Sequence, residues 1–325
     1  MNTNLLIIGD GLSTELFLYY FPSTLLNSYN FLIIEQKPDS NQSFGDDVPF
    51  YFNSILPGLT IKFDPVIISM GIYDHNIIYT MGSDELSIKY SKKIVDSISG
   101  NTIRFLEKGK KAYVLSQNDM QGRKELLYQY LKANNSEKKN IRYIFNCRIL
   151  EVAEQFVIDD MGNQYNFDYL ISTISLQSFV NISKLPFNLQ SDLVNYPFYI
   201  RRFKLKSDKE YRVLYCTDEN IRFSRIAKLD NTVFLESRVP IDYSELTTSE
   251  QEFLSLFNLL DYYQNAPVYP IYPGRFIQLS DEKYDMVTEY LCRKNIFLLG
   301  RMATWRFKLV EDIVKDSIDI YEKLH

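Results

Sequence analysis

The stretch from Asn4 to Glu35 reads NLLIIGDGLSTELFLYYFPSTLLNSYNFLIIE, and its reading decides the fold. Leu5-Leu6-Ile7-Ile8 is a continuous apolar run that stops at Gly9, the pattern of a parallel strand covered on both faces. Gly9-Asp10-Gly11 then forces a tight turn. Leu12, Leu16, Phe17 and Tyr20 recur at helical spacing, and Pro22 closes the helix. Phe31-Leu32-Ile33-Ile34 is a second continuous run, ending in Glu35. Strand, glycine turn, helix and strand make a βαβ unit, whose parallel crossover is right-handed in nearly all proteins.

The turn has the chemistry of an anion site. Gly9 and Gly11 let the chain reverse and let the backbone approach a pyrophosphate seated on the helix N-terminus. The expected contacts run from these glycines through Leu12, Ser13 and Thr14, with Ser13 adding a hydroxyl. Glu35 ends the second strand 24 residues after Gly11, near the spacing of roughly 20 at which an acid accepts from ribose hydroxyls. Two positions depart from GxGxxG. Thr14 stands where a third glycine allows close helix–strand packing, and Asp10 puts a carboxylate where only an outward-pointing one suits a phosphate. A parallel α/β protein whose first turn merely carries two glycines reads the same way to this point.

Further out, residues 38–60 read as a surface loop rich in Pro, Asp, Asn, Ser and Gly. Helices are expected near Glu85–Val95, from Met120 to Lys132 and from Thr248 to Asp261. Short strands are expected at Val66–Ser69, Ile77–Thr80, Ala112–Leu115, Ile141–Phe145, Ile149–Val152, Phe156–Ile158, Gln164–Phe167 and Tyr169–Ile174. Residues 197–239 look like successive antiparallel strands. Near the end, Ile296–Leu299 is another continuous apolar strand, followed by Gly300-Arg301 and a long amphipathic helix from about Val310 to Leu324. The fold class expected is α/β. A Rossmann-like parallel sheet with flanking helices (1–65 plus 141–180 plus 285–325) is interrupted by a mostly antiparallel, β-rich substrate or cap domain (66–140 plus 181–284).

Composition narrows the function. The 325 residues are 46% apolar and 24% charged with a net charge of −5. That balance argues against extended DNA or RNA binding, which rests on phosphate neutralisation. The 25 Tyr and 22 Phe, beside abundant Asn, Ile and Lys, are consistent with a compositional bias rather than a binding surface. Cys147, Cys216 and Cys292 are odd in number and widely spaced, which reads as buried, reduced thiols. Only His75 and His325 are present, so no His-rich metal site is expected. No run reaches the ~18 apolar residues of a membrane span, and Leu5–Ile8 lacks the basic flank and length of a signal peptide. A cytoplasmic location is expected.

Asn295 to Asp316 reads NIFLLGRMATWRFKLVEDIVKD. A buried strand delivers Gly300 to a turn with Arg301 and Trp305 beside it, and a helix opens near Glu311-Asp312. This strand–Gly-Arg–aromatic–helix run resembles the C-terminal FAD signature of the UDP-galactopyranose mutase, protoporphyrinogen oxidase and amine oxidase superfamily. Gly9-Asp10-Gly11-Leu12-Ser13 resembles the same superfamily's N-terminal turn. Phe167 to Ile174 is similar to its D-x-L-I-S-T-I-P-L strand, with Ser175 at the proline. Phe223-Ser224-Arg225-Ile226 and Tyr269-Pro270-Ile271-Tyr272-Pro273 resemble its F-x-R-I strand and Y-P-I-P turn. The Arg–x–Gly–Gly that usually follows the acid is absent after Glu35. The resemblance implies FAD, contacted by Gly9, Gly11, Leu12, Ser13, Thr14, Glu35, the backbone near Ile149, Gly300, Arg301, Trp305, Glu311 and Asp312, with NAD(P)H a candidate reductant.

In such proteins the isoalloxazine does the chemistry, so polar groups that could face it are the candidates for substrate contact. Arg225 sits in an otherwise apolar strand and needs an anion, either a substrate phosphate or carboxylate or an internal partner. Tyr272 and Trp305 could form an aromatic wall. His75 could serve as a general base, although a satisfied loop histidine fits its Tyr73-Asp74-His75 setting. Arg201-Arg202-Phe203-Lys204 with Lys206 reads as a solvated strand edge. Three functions stay open: an FAD-dependent oxidoreductase acting on a small molecule, phosphorylated or nucleotidyl among the candidates; a non-redox, mutase-like or nucleotide-modifying flavoenzyme; and a degenerate nucleotide-binding interaction protein.

Overall fold

The computed structural model describes residues 3–38, 52–80, 83–95, 111–115, 123–205, 211–229 and 231–324. The first elements are β1 (Thr3–Ile8), α1 (Leu12–Tyr20), β2 (Tyr29–Ile34), β3 (Phe63–Ile67), β4 (Ser69–Asp74), β5 (Ile77–Tyr79), α2 (Asp84–Val95), β6 (Lys111–Leu115) and α3 (Arg123–Ser136). Next come β7 (Ile141–Ile144), β8 (Ile149–Val152), β9 (Phe156–Asp159), β10 (Gln164–Asn166), β11 (Tyr169–Ser172), α4 (Leu176–Ile182), β12 (Asn195–Lys204) and β13 (Tyr211–Cys216). The chain continues through β14 (Phe223–Leu229), β15 (Thr232–Ser237), α5 (Thr248–Ser255), α6 (Leu260–Tyr263), β16 (Val268–Phe276), α7 (Asp281–Cys292), β17 (Ile296–Leu298), α8 (Arg301–Thr304) and α9 (Val310–Tyr321).

The chain forms two compact units that alternate along the sequence. Unit 1 comprises Met1–Phe44, Lys124–Leu193 and Gln278–His325, and unit 2 comprises Gly45–Arg123 and Val194–Ile277. Unit 1 is built on a five-stranded parallel sheet in the order β17-β11-β1-β2-β7. Its inner strands are the continuous apolar runs, with Leu5, Leu6, Ile7, Ile33 and Ile171 at most 1% exposed. Helix α1 packs on α9, where the Phe17 and Phe21 rings each lie 5.7 Å from that of Tyr321. A small antiparallel sheet, β10-β9-β8, completes the unit.

Unit 2 holds a seven-stranded mixed sheet, β16-β12-β15-β14-β13-β4-β5, and the hairpin-like pair β3–β6. All its ladders are antiparallel except β13–β4. One face packs α2 through Leu86, Tyr90 and Ile94. The other carries Phe253, Leu259 and Tyr263 of the α5–α6 region. The helix expected over Thr248–Asp261 is two pieces, because Asn258 adopts a left-handed φ of 53° that breaks the ladder after Ser255. The strand edge expected at Arg201–Lys204 is an interior strand, since β12 pairs with both β15 and β16. Arg201 is half-buried, donates to the Tyr263, Ala266 and Ile241 carbonyls and stacks on the Tyr263 ring. Lys206 lies outside the described residues.

Helix α5 opens on a carboxylate that binds Arg222, the residue preceding β14. Glu250 is fully buried. Its oxygens accept from Arg222 Nε (2.8 Å), Arg222 Nη2 (2.8 Å), and the backbone N–H groups of Arg222 (2.9 Å) and Thr247 (3.0 Å). Burial alone would raise its pKa, but these donors outweigh it and hold the carboxyl below its ordinary value. Glu250→Ala leaves the Arg222 guanidinium with only its Glu245 contacts, the carbonyl at 2.6 Å and the carboxylate at 3.9 Å. It is expected to cost about 1 kcal/mol, since the Arg222 side chain is 37% exposed and its charge is solvent-screened, measured as a drop in the urea midpoint with unchanged slope.

Candidate functional site

The candidate site lies in unit 1, at the carboxyl ends of β1, β2 and β11. The chain order reverses there, β2 lying on one side of β1 and β11 on the other, the position at which open α/β sheets bind ligands. Gly9 leaves β1 with φ of +100°, a conformation that side chains rarely adopt, and a Cβ there would lie 2.5 Å from Thr173 Oγ1. Its glycine is therefore required by the protein itself. Gly11, the residue before α1, has an ordinary φ of −98°, and a Cβ there would meet no atom of the described residues within 4 Å.

The two departures from the glycine pattern have local explanations. Thr14 is buried, and its hydroxyl donates to the Gly9 carbonyl at 2.7 Å and lies 3.1 Å from Thr173 Oγ1. The threonine thus fills the helix–strand contact with hydrogen bonds instead of leaving it to a glycine. Asp10 turns its side chain into the protein, where Oδ2 accepts from Tyr128 Oη and Lys132 Nζ, both at 2.9 Å. Its backbone N–H donates to Glu35 Oε2 at 2.8 Å, and Lys37 N–H donates to Glu35 Oε1 at 2.9 Å. The acid at the end of β2 is thereby clamped beside the turn with lone pairs left for other donors.

Behind the turn, Glu15 in the first turn of α1 is buried, taking hydrogen bonds from Asn135 Nδ2 (2.7 Å) and Tyr143 Oη (3.0 Å). Burial first, and the neighbouring Asp10 second, push its carboxyl up to about 8. Lys132 lies over the Tyr143 and Phe145 rings as well as beside Asp10. Helix α3 thus supplies the support for the turn, and nothing in the residue pattern pointed to it.

A cavity of about 270 Å³ opens against the turn, lined by Gly9, Glu35, Cys147, Arg148, Ile149 and Asn181 among others. Gly9, Glu35 and Ile149 therefore share one wall system. The C-terminal glycine turn reaches the same place from the other side. Gly300 has φ of +97° and packs directly on Ser13, whose Cβ would lie 3.1 Å from a Cβ at position 300. Arg301 opens α8 with its guanidinium over the Phe307 ring at 5.2 Å. Trp305 closes α8 in a left-handed conformation and is completely buried. Asp312 accepts from the Leu309 N–H at 2.7 Å, so it caps its own helix, and Glu311 precedes it in the first turn of α9.

The weaker candidates lie in unit 2. Arg225 ion-pairs with the buried Glu236, which also takes Arg275 Nη2 at 2.9 Å. Arg225 and Glu236 are register partners across β14 and β15. His75 occupies a tight turn with φ of 47°, its Nδ1 3.2 Å from Asp74 Oδ1 and its imidazole mostly exposed. Tyr272 belongs to β16, and its side chain lies outside the described part of the structure. Among the described residues no cluster of His, Cys, Asp or Glu could hold a metal ion. No described helix is long and apolar enough to cross a membrane.

A parallel α/β sheet with a glycine turn at its switch point, interleaved with a largely antiparallel unit, defines the class as a two-unit dinucleotide-binding fold. Solved structures share it over nearly the whole chain. A reduced UDP-galactopyranose mutase superposes with a TM-score of 0.65 at 12% identity, covering 99% of this chain and 95% of that one. A putative protoporphyrinogen oxidase from Exiguobacterium gives 0.64 at 11% identity, covering 100% and 99%. A tryptophan C-6 flavin-dependent halogenase of taromycin biosynthesis gives 0.52 at 11%, covering 99% of this chain and 70% of that one. No family model and no curated protein sequence matches the chain.

Proposed function

We propose that the protein is a flavoenzyme that holds FAD on the turn between β1 and α1 and acts on a small molecule. The observation that carries this reading is Gly11. Its φ requires no glycine and among the described residues no atom lies within 4 Å of where its side chain would start, which suits a group from outside, as a pyrophosphate on a helix N-terminus is. Gly9, Glu35 and the cavity beside Ile149 fit the adjoining ribose and base, and Asp10 points away. The likeness to flavin-dependent and mutase folds agrees with it.

Bound there, the isoalloxazine supplies the electron-transfer chemistry. The chain's own part is to seat the dinucleotide. Glu35 accepts from ribose hydroxyls while its grip on the Asp10 N–H fixes the turn, and the Gly300 turn packs Ser13 against the first helical turn. Unit 1 is then the cofactor unit and unit 2 the substrate unit, with NAD(P)H a candidate external reductant. The substrate fits the class of small molecules rather than nucleic acid, given the net charge of −5.

Purified protein is expected to carry an oxidised-flavin absorbance band that denaturation releases as FAD. Gly11→Val should abolish flavin retention, leaving the circular dichroism native-like and the urea midpoint near that of flavin-free wild type, because the added Cβ meets no described atom. A colourless protein that cannot be reconstituted with FAD overturns the reading. Stoichiometric FAD on Gly11→Val would instead place the flavin elsewhere.

A further inference from the structure

Unit 2 contains a lysine–cysteine contact unrelated to the candidate site. Cys216 ends β13 and is fully buried. Lys93, in the last turn of α2, directs Nζ at it: 3.4 Å from Cys216 Sγ and 2.8 Å from the Asp218 carbonyl. Among the described residues Nζ meets no carboxylate within ion-pair distance. An amine placed this way lacks the counter-ion that a partly buried lysine normally finds.

We propose that Lys93 and Cys216 form a redox-sensitive cross-link, in which the lysine amine traps the oxidised cysteine sulfur. Hydrogen peroxide is the oxidant. Its oxygen transfers to sulfur: the S–H and O–O bonds break, an S–O bond forms, and one water leaves. The Lys93 nitrogen lone pair then attacks sulfur; the S–N bond forms, the S–O bond breaks, and the hydroxyl leaves with an amine proton as a second water. One peroxide is reduced, and one thiol and one amine become a sulfenamide. Sulfenic acids are known to condense with nitrogen in this way.

The surroundings favour the second step. Burial lowers the Lys93 pKa, which raises the fraction of free amine. Burial holds the Cys216 thiol above its ordinary value, the adjacent Lys93 offsetting only part of that shift, so the first oxidation is slow and the trapping step follows it at once. Cys147, the other buried thiol, faces a carboxylate instead, with Sγ 3.5 Å from Asp159 Oδ2. Burial and that carboxylate push it up to about 11, so it serves as an internal control.

The test is peptide mapping of the full chain after graded peroxide treatment. The expected product joins the Lys93 and Cys216 peptides at about 2 Da below their summed mass and falls apart in excess thiol. Lys93→Arg should yield no such species and send Cys216 on to sulfinic acid, and Cys216→Ala should leave Lys93 unmodified. Wild-type protein in which Cys216 stays a thiol, or gains two oxygens while Lys93 remains free, overturns the proposal. Because wild type alone decides it, poor folding of either variant leaves the test intact.

Discussion

The free energy of unfolding is expected to fall as pH rises from about 4.5 to about 8, and Glu15→Gln to remove most of that slope. Among the described residues Glu15 has no cation within ion-pair distance. Lys132 answers Asp10, whereas Glu15 is met by the neutral donors of Asn135 and Tyr143. Burial and the Asp10 carboxylate push it up to about 8 from 4.5. Between those values the folded protein keeps a proton that the unfolded chain has released, so each pH unit removes about 1.4 kcal/mol. The stability tied to this proton is complete below 4.5 and lost on passing 8, up to about 5 kcal/mol in all. Glutamine carries no proton to lose and keeps an N–H for Asp10. Urea unfolding near pH 5 and near pH 8 measures the difference. Parallel profiles for wild type and Glu15→Gln would mean that Glu15 is ionised in the fold.

In flavin-free protein Gly300→Ala is expected to destabilise by about 3 kcal/mol, whereas Gly11→Ala should be neutral or slightly stabilising. The two glycines look equivalent in the sequence and are opposite in structure. At Gly300 an L side chain must adopt φ of +97° and meet Ser13, where rotating the hydroxyl away still leaves the Cβ 3.1 Å distant. At Gly11 the backbone is ordinary and a Cβ meets no atom of the described residues within 4 Å. A double-mutant cycle with Ser13→Gly separates the two costs at position 300, since relieving the contact restores only the steric part. Additive effects in that cycle would show that the Ser13 contact contributes nothing and that the backbone conformation accounts for the whole loss.

The parallel sheet was readable because a doubly covered strand has a one-dimensional signature. Leu5–Ile8, Phe31–Ile34, Tyr169–Ile171 and Ile296–Leu298 are each unbroken apolar runs, and each lies in a strand of it. Helix α7 escaped notice because only Val287 and Leu291 of its residues are buried. Its one clear signal was Ser280 followed by Asp281 and Glu282, where the Ser280 hydroxyl accepts from Lys283 N–H at 3.3 Å. The glycines and Glu35 could be named from spacing. Tyr128, Lys132 and Asn135 could not, because their roles come from contacts about 120 residues away along the chain. Likewise Arg225 announced a need for an anion, but only the strand register identifies Glu236 as one that answers it.

The last residues of unit 1 close over its first. The Tyr29 hydroxyl donates to the Leu324 carbonyl at 2.7 Å, and Tyr321 seals Phe17 and Phe21. On the ribosome, then, α1 waits for the later-made final turn of α9 before the Phe17 and Phe21 side is covered. Throughout that interval α1 is a sticky surface suited to chaperone capture, and a nascent chain arrested before Tyr321 would leave it exposed.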